Sequence, residues 1–94
     1  MSDELGKEAR NAFVQMVQSA GTDCDVRGER KRGIKQTRKK PGYIVFQFPD
    51  EFAIRVGDRI REIATETSFD VVDLESQSAA GVYNRFKITT KKLT

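Results

Sequence analysis

Apolar residues recur at helical spacing near one end of the chain and at alternate positions through much of the rest. Leu5, Ala9, Ala12, Phe13, Met16, Val17 and Ala20 fall on one stripe, which predicts a helix over 3–20. Ser2 is placed to cap it, Asp3 and Glu4 suit the positive end of its dipole, and Gly21 suits a left-handed stop. The stripe predicts that Phe13 and Met16 pack this helix against a sheet. Cys24 to Arg27 reads as a short strand. Gly28 to Gly33 reads as an exposed loop, because adjacent cations repel and are costly to bury unpaired. Ile34 to Thr37 fits an edge strand, and Arg38-Lys39-Lys40-Pro41-Gly42 a second basic turn. Tyr43 to Phe48 is a strand with Ile44, Phe46 and Phe48 on one apolar face, ended by Pro49-Asp50.

Residues 51–66 support two readings. As a helix they place Phe52, Val56, Ile60 and Ile63 on one side, with Glu51 four residues before Arg55. As strands, Phe52, Ile54 and Val56 alternate with polar or small neighbours, Gly57-Asp58 turns, and Arg59 to Ile63 returns with Ile60 inward. The strand reading is favoured, since a mid-helix Gly57 costs about 1 kcal/mol and Ile54 would leave the apolar side. Ser68 to Leu74 is rich in strand formers, and Ser76 to Gly81 reads as a small-residue loop. Val82 to Thr90 alternates, with Phe86 and Ile88 facing one way and Arg85 and Lys87 the other. The expected fold is mainly β (α+β): an N-terminal helix, then a small antiparallel β-barrel or sandwich. It forms a single domain, 1–94, with a helix at 3–20, a basic loop region at 27–42 and a β-rich core at 43–92.

Ninety-four residues leave room for one modest core, and 37% hydrophobic against 33% charged residues suits a globular chain. No apolar run approaches the roughly 18 residues of a membrane span, and the acidic start Met1-Ser2-Asp3-Glu4 carries no secretory pattern. A single cysteine, Cys24, excludes an internal disulfide framework.

Catalytic chemistry is poorly supplied. There is no histidine, so the commonest general base and metal ligand is missing. Cys24 alone cannot make a structural zinc site and reads as a structural residue. Strand alternation sets Asp73 and Glu75 on one face and Asp70 on the other, so the three carboxylates are not expected to converge. Gly28, Gly33 and Gly42 are too far apart for a nucleotide-binding loop. The expectation is a non-enzymatic protein with no cofactor, no metal and no small-molecule substrate.

Charge is the strongest functional signal. The net charge is +3, yet residues 27–40 alone carry +7 and the last ten residues +4, on an otherwise acidic chain. Arg27, Arg30, Lys31, Arg32, Lys35, Arg38, Lys39 and Lys40 are therefore the candidate contacts to nucleic acid or to an acidic partner. Arg85, Lys87, Lys91 and Lys92 form a second set. No aromatic is interleaved with the first set, Tyr43 being the nearest, so base stacking is not indicated.

Residues 44–92 read as strands carry, in order, Phe48-Pro49, Ile54-Arg55-Val56-Gly57-Asp58-Arg59-Ile60, Phe69-Asp70-Val71-Val72-Asp73, Gly81 and Phe86-Lys87-Ile88. This series resembles small β-barrel proteins of phage and prophage structural gene clusters. With a helix in front, the chain is similar to head–tail joining (neck) proteins, which assemble as rings between portal and tail. The resemblance implies a structural or assembly subunit, acting through contacts with copies of itself and other virion proteins, in the virion or host cytoplasm. If residues 51–66 are a helix, the second half instead resembles part of the Alba-type chromatin proteins or of translation initiation factor three, which bind nucleic acid. The alternative function is accordingly a small basic nucleic-acid-binding module using 27–40, with DNA or RNA as partner.

Overall fold

The strands after the helix turn apolar residues to a common interior, and the sheet they form closes on itself. The computed structural model describes residues 2–37, 40–79 and 82–93, and the side chains of 6–37, 40–77 and 85–93. A helix α1 (Ser2–Ala20) precedes β1 (Thr22–Val26), β2 (Glu29–Thr37), β3 (Tyr43–Phe48), β4 (Arg59–Glu62), β5 (Thr67–Ala79) and β6 (Val82–Lys92). The strands form a closed antiparallel barrel in the order β1-β2-β3-β6-β5-β4. No helix among the described residues is long and apolar enough to cross a membrane.

The barrel interior holds Cys24, Val26, Phe46, Phe48, Ile54, Ile60, Phe69, Val71, Phe86 and Ile88. Phe46 meets Phe69 edge-on at 5.2 Å between ring centres, and Phe48 meets Phe52 at 5.0 Å. Phe52 in turn meets Phe86 at 5.4 Å, so an aromatic chain fills the barrel along its length. On the outer face, Phe13 and Val17 of α1 are buried, as are Val45 and Gln47 of β3. Helix α1 contacts β6, β2 and β5 there. Gln47 links this face together: its amide donates to Gln36, its carbonyl accepts from Arg85 at 2.7 Å, and the Arg85 guanidinium lies 4.4 Å from the Phe13 ring centre.

Several sequence expectations are corrected. The stretch Gly28–Gly33 is not a loop: β1 and β2 form a hairpin whose two-residue turn is Arg27-Gly28, both with positive φ (55° and 82°). The repulsion argument fails because alternation sends neighbouring cations to opposite faces and pairing brings carboxylates beside them. Ile34–Thr37 continues that strand and pairs with β3, while β1 pairs with β2 only as far as Gly33, so this part of the strand has one paired side as expected. Residues 51–58 are neither helix nor strand. Gly57 (φ 97°) occupies the third position of a turn closed by Asp58 N–H to Arg55 carbonyl at 2.9 Å, and Val56 is 63% exposed. The strand reading holds for Arg59–Glu62, with Ile60 fully buried.

Ser76 to Ala79 belongs to β5 instead of a loop, while Ala80 and Gly81 lie outside the described residues. An unpaired Val72 between Val71↔Thr90 and Asp73↔Thr89 shifts the alternation. Asp70, Asp73 and Glu75 consequently share the outer face, opposite Lys91, Thr89 and Lys87. Met16 is 42% exposed and does not pack the helix down. Gly21 does not end the helix by left-handed geometry, since its φ is not positive. Space decides it: an added Cβ would run into the Val17 and Gly33 carbonyls. The Ser2 side chain, and with it the expected cap, lies outside the described side chains.

The seam of the barrel is narrow. β1 meets β4 through only Cys24↔Glu62 and Asp25↔Arg61, supplemented by Ile63 N–H to Asp23 carbonyl at 3.0 Å. Glu62, 4% exposed, straddles it: its carboxylate accepts from Thr22 of β1 at 2.9 Å, Lys35 of β2 at 2.8 Å and Thr65 at 2.7 Å. Burial by itself raises the Glu62 pKa, but hydrogen bonds from Lys35, Thr65 and Thr22, with the Lys35 charge, outweigh it and hold the carboxyl below its usual range. The folded state thus binds this proton less readily than the unfolded one. Its stabilisation is complete above the ordinary glutamate range, about pH 4–5, and disappears as pH falls through the lower folded value.

Glu62→Gln is expected to cost about 2 kcal/mol near neutrality, less than a fully buried pair because Lys35 is partly exposed. That corresponds to a melting temperature roughly 10 °C lower, with the gap narrowing towards about pH 3. A gap independent of pH would show that the carboxylate charge is not what holds the seam. Gly33→Ala is expected to cost about 1–3 kcal/mol, because a Cβ there would stand 2.6 Å from the Gln47 carbonyl and 2.7 Å from the Phe48 ring. Unchanged denaturant midpoints for this variant would refute the close approach of β2 to β3.

Candidate functional site

Of the eight candidate cations, six have described side chains; Arg30, Lys31 and Arg32 line one groove, and Arg27, Lys35 and Lys40 do not. In β2 the pairing register turns Lys31 and Lys35 towards the barrel axis and Arg30 and Arg32 outwards. Lys31 sits at one mouth of the barrel, 3.3 Å from Glu29 and 5.1 Å from the centre of the Phe52 ring. Lys35 reaches the other end and pairs with Glu62. Arg32 serves α1: it donates to the Val17 carbonyl at 3.0 Å and the Gln18 carbonyl at 3.4 Å, and pairs with Asp23 at 3.3 Å. It supplies the cation that the last turn of the helix lacks. Arg27 pairs with Asp58 at 3.1 Å. Asp58 is held below its usual pKa first by the Arg55 backbone N–H and then by the Arg27 charge. Arg30 is exposed beside Asp25, which instead pairs with Arg61 at 3.5 Å. Arg38 and Lys39 lie outside the described residues.

Lys40 belongs to a different constellation. Its Nζ lies 4.8 Å from the centre of the Tyr43 ring, and Tyr43 stands opposite Lys91 in the β3–β6 register. Lys92 N–H donates to the Gly42 carbonyl at 2.9 Å, which ties the end of β6 to the turn before β3. Two basic segments half the chain apart thereby meet at one end of the barrel. Counting charge by segment shows both segments but cannot show that they meet; only the strand pairing does.

At the opposite end the β5–β6 hairpin outruns the barrel. β4 pairs with β5 only as far as Asp70, with Gly57 and Asp58 bonding to Val71, and β3 pairs with β6 only as far as Phe86. Beyond those points, among the described residues, the two strands pair with each other alone, out to Ala79↔Val82. The molecule measures 46 Å along its longest axis against 26 and 23 Å across. Both outer edges of this arm offer unpaired backbone N–H and C=O groups. The expected small-residue loop concealed it in the sequence, although the long alternation after Val82 pointed to an extended strand.

Between α1, β2 and the segment after β3, a groove of about 320 Å³ is lined by Val14, Val17, Phe48 and Phe52, by Arg30, Lys31 and Arg32, and by Asp50. Arg10 pairs with Asp50 at 2.7 Å and donates to the Pro49 carbonyl.

Cys24 is fully buried, and its thiol is pushed up to about 12, first by burial and then by the Glu62 and Asp23 carboxylates. Such a thiol is not a nucleophile at neutral pH. Among the described residues no group of three or more potential ligands is arranged to hold a metal ion. No known family model, curated protein or solved structure matches this chain.

An aromatic disulfide reagent is expected to leave Cys24 unmodified in the native protein over hours at neutral pH, and to release one equivalent of thiolate within minutes in denaturant. Rapid native reaction would contradict the closed seam beside Glu62.

Proposed function

We propose that this chain is a non-enzymatic structural subunit of the phage neck (head–tail joining) type. It acts in the virion by assembling with copies of itself and with other virion proteins. Two lines support the reading. The order of residues through 44–92 resembles that group, and the turn Ile54 to Ile60 on which the resemblance leans leads into β4 of a closed barrel behind a helix.

The observation that carries it is the β5–β6 arm. A closed barrel has no edge by which strands of another molecule can join. This barrel keeps two, on a ribbon that extends past its wall. A two-stranded ribbon is marginally stable alone and gains backbone hydrogen bonds from a third strand. In a ring, each arm edge would be covered by the neighbouring subunit, burying polar groups that one chain leaves to water.

Replacing residues 78–84 by Asn-Gly between Gln77 and Arg85 tests this directly. The change keeps the Gln77↔Arg85 pair and the Arg85 contacts to Gln47 and Phe13, and substitutes a tight hairpin turn. Mass measurement in solution is expected to give discrete oligomers for the parent chain and a folded monomer for the shortened one. A parent chain that stays monomeric at high concentration sinks the reading. So does a shortened chain that assembles as well as the parent.

A further inference from the structure

We infer that the end of the barrel opposite the arm is a nucleic-acid contact surface, in which Lys40 over the Tyr43 ring, Lys91 opposite Tyr43 in the register, and Lys92 at the adjoining end of β6 bind the phosphodiester backbone. The inference is independent of the assembly reading and joins one cation of the first sequence group to two of the second. Where Arg27, Lys31, Arg32 and Lys35 each have a carboxylate partner, Lys40, Lys91 and Lys92 are exposed and form no ion pair among the described residues. Positive charge given up to internal pairs is not available to a ligand; the charge at this end is.

The placement is fixed by backbone. Lys91 stands opposite Tyr43, and Lys92 N–H bonds the Gly42 carbonyl, so both lysine stems start from a strand locked to the Lys40-Pro41-Gly42 turn. Lys40 is drawn over the Tyr43 ring, which fixes its ammonium on the same end. The acidic groups nearby are largely engaged. Glu62 accepts from Lys35, Thr22 and Thr65, and Asp70, which faces Lys91 in register, pairs with Arg59 at 3.4 Å. Glu66, in the turn between β4 and β5, and Asp73, opposite Thr89 on the face that carries Lys91, are exposed carboxylates with no ion pair among the described residues.

The chemistry selects phosphates over bases. Lysine ammoniums are point charges on flexible stems that follow a backbone without reading sequence. Tyr43 is half-buried and capped by Lys40, so it presents no open ring on which a base would stack. Binding should be independent of sequence, tolerant of duplex or single strand, and steeply weakened by salt.

Fluorescence anisotropy with the full chain provides the test. The probes are a labelled random-sequence 30-base-pair DNA duplex, the corresponding single strand and an RNA of equal length, from about 50 to 200 mM salt. Three phosphate contacts predict a log–log salt slope of about −2.7 on the duplex. The K40A/K91A/K92A variant should bind at least about tenfold more weakly at low salt, with a flatter slope and an unchanged melting temperature. Arg30→Ala and Lys87→Ala should bind as the parent does. The inference falls if the parent does not bind at about 50 mM salt, or if Arg30→Ala weakens binding while the triple variant does not. A single strand held more than tenfold tighter than duplex would overturn the backbone assignment in favour of base stacking. Preference for polyglutamate over every nucleic acid would overturn it in favour of an acidic protein. The arm-shortened chain retains these lysines, so loss of assembly and loss of binding are separate results.

Discussion

One buried carboxylate sits at the seam that closes the barrel. Only two register pairs join β1 to β4, too few to hold a sheet edge by backbone bonding alone, and Glu62 lies at that point with donors from β1, β2 and the turn after β4. An unpaired carboxylate at 4% exposure would be strongly unfavourable, so all three donors have to be present together. Their presence fixes the relative positions of three strands. Cys24, directly opposite Glu62 in the register, is sealed by the same closure, and its pKa is raised first by that burial and then by the Glu62 and Asp23 carboxylates.

Closure also decides where the remaining charge goes. Within β2 the alternation of faces divides a run of cations that looks continuous on paper. One goes to the seam, one to the barrel mouth over Phe52, and one caps the helix. The acidic residues of β1 and of the β4 region are positioned to receive them. Once these pairs form, Lys40, Lys91 and Lys92 at one end of the barrel, like Arg30 on the outer face of β2, stay exposed with no ion pair among the described residues. The open strand edges collect at the other end, where the arm leaves the wall. The two proposed surfaces are therefore separated by the length of the barrel, and a molecule built this way can touch an anionic polymer at one end and its own neighbours at the other.

Much of the fold was legible in the residues. The helix over 3–20, the strand Tyr43–Phe48 with its apolar face, and the inward pair Phe86 and Ile88 follow from periodicity, because each element turns one apolar face into a core. Gly57 identified a turn, since a left-handed position favours glycine. The misreadings share a cause. Gly28–Gly33 and Ser76–Ala79 carry no apolar stripe, the first because carboxylates pair with its cations, the second because it belongs to an arm beyond the core. Periodicity reports burial, and neither segment is a core strand.

The sequence by itself determined the class of the molecule: a helix ahead of a mainly β domain, too small for two cores and without histidine. Those properties depend on local spacing and composition. Tertiary structure alone decided the closure through Glu62, the common face of Asp70, Asp73 and Glu75 after the bulge at Val72, the division of the basic segment, and the meeting of Lys40 with Lys91 and Lys92. Each of these is a matter of register between strands distant in the chain. Register is set by how side chains fill the shared interior, a many-body packing condition that no single segment carries.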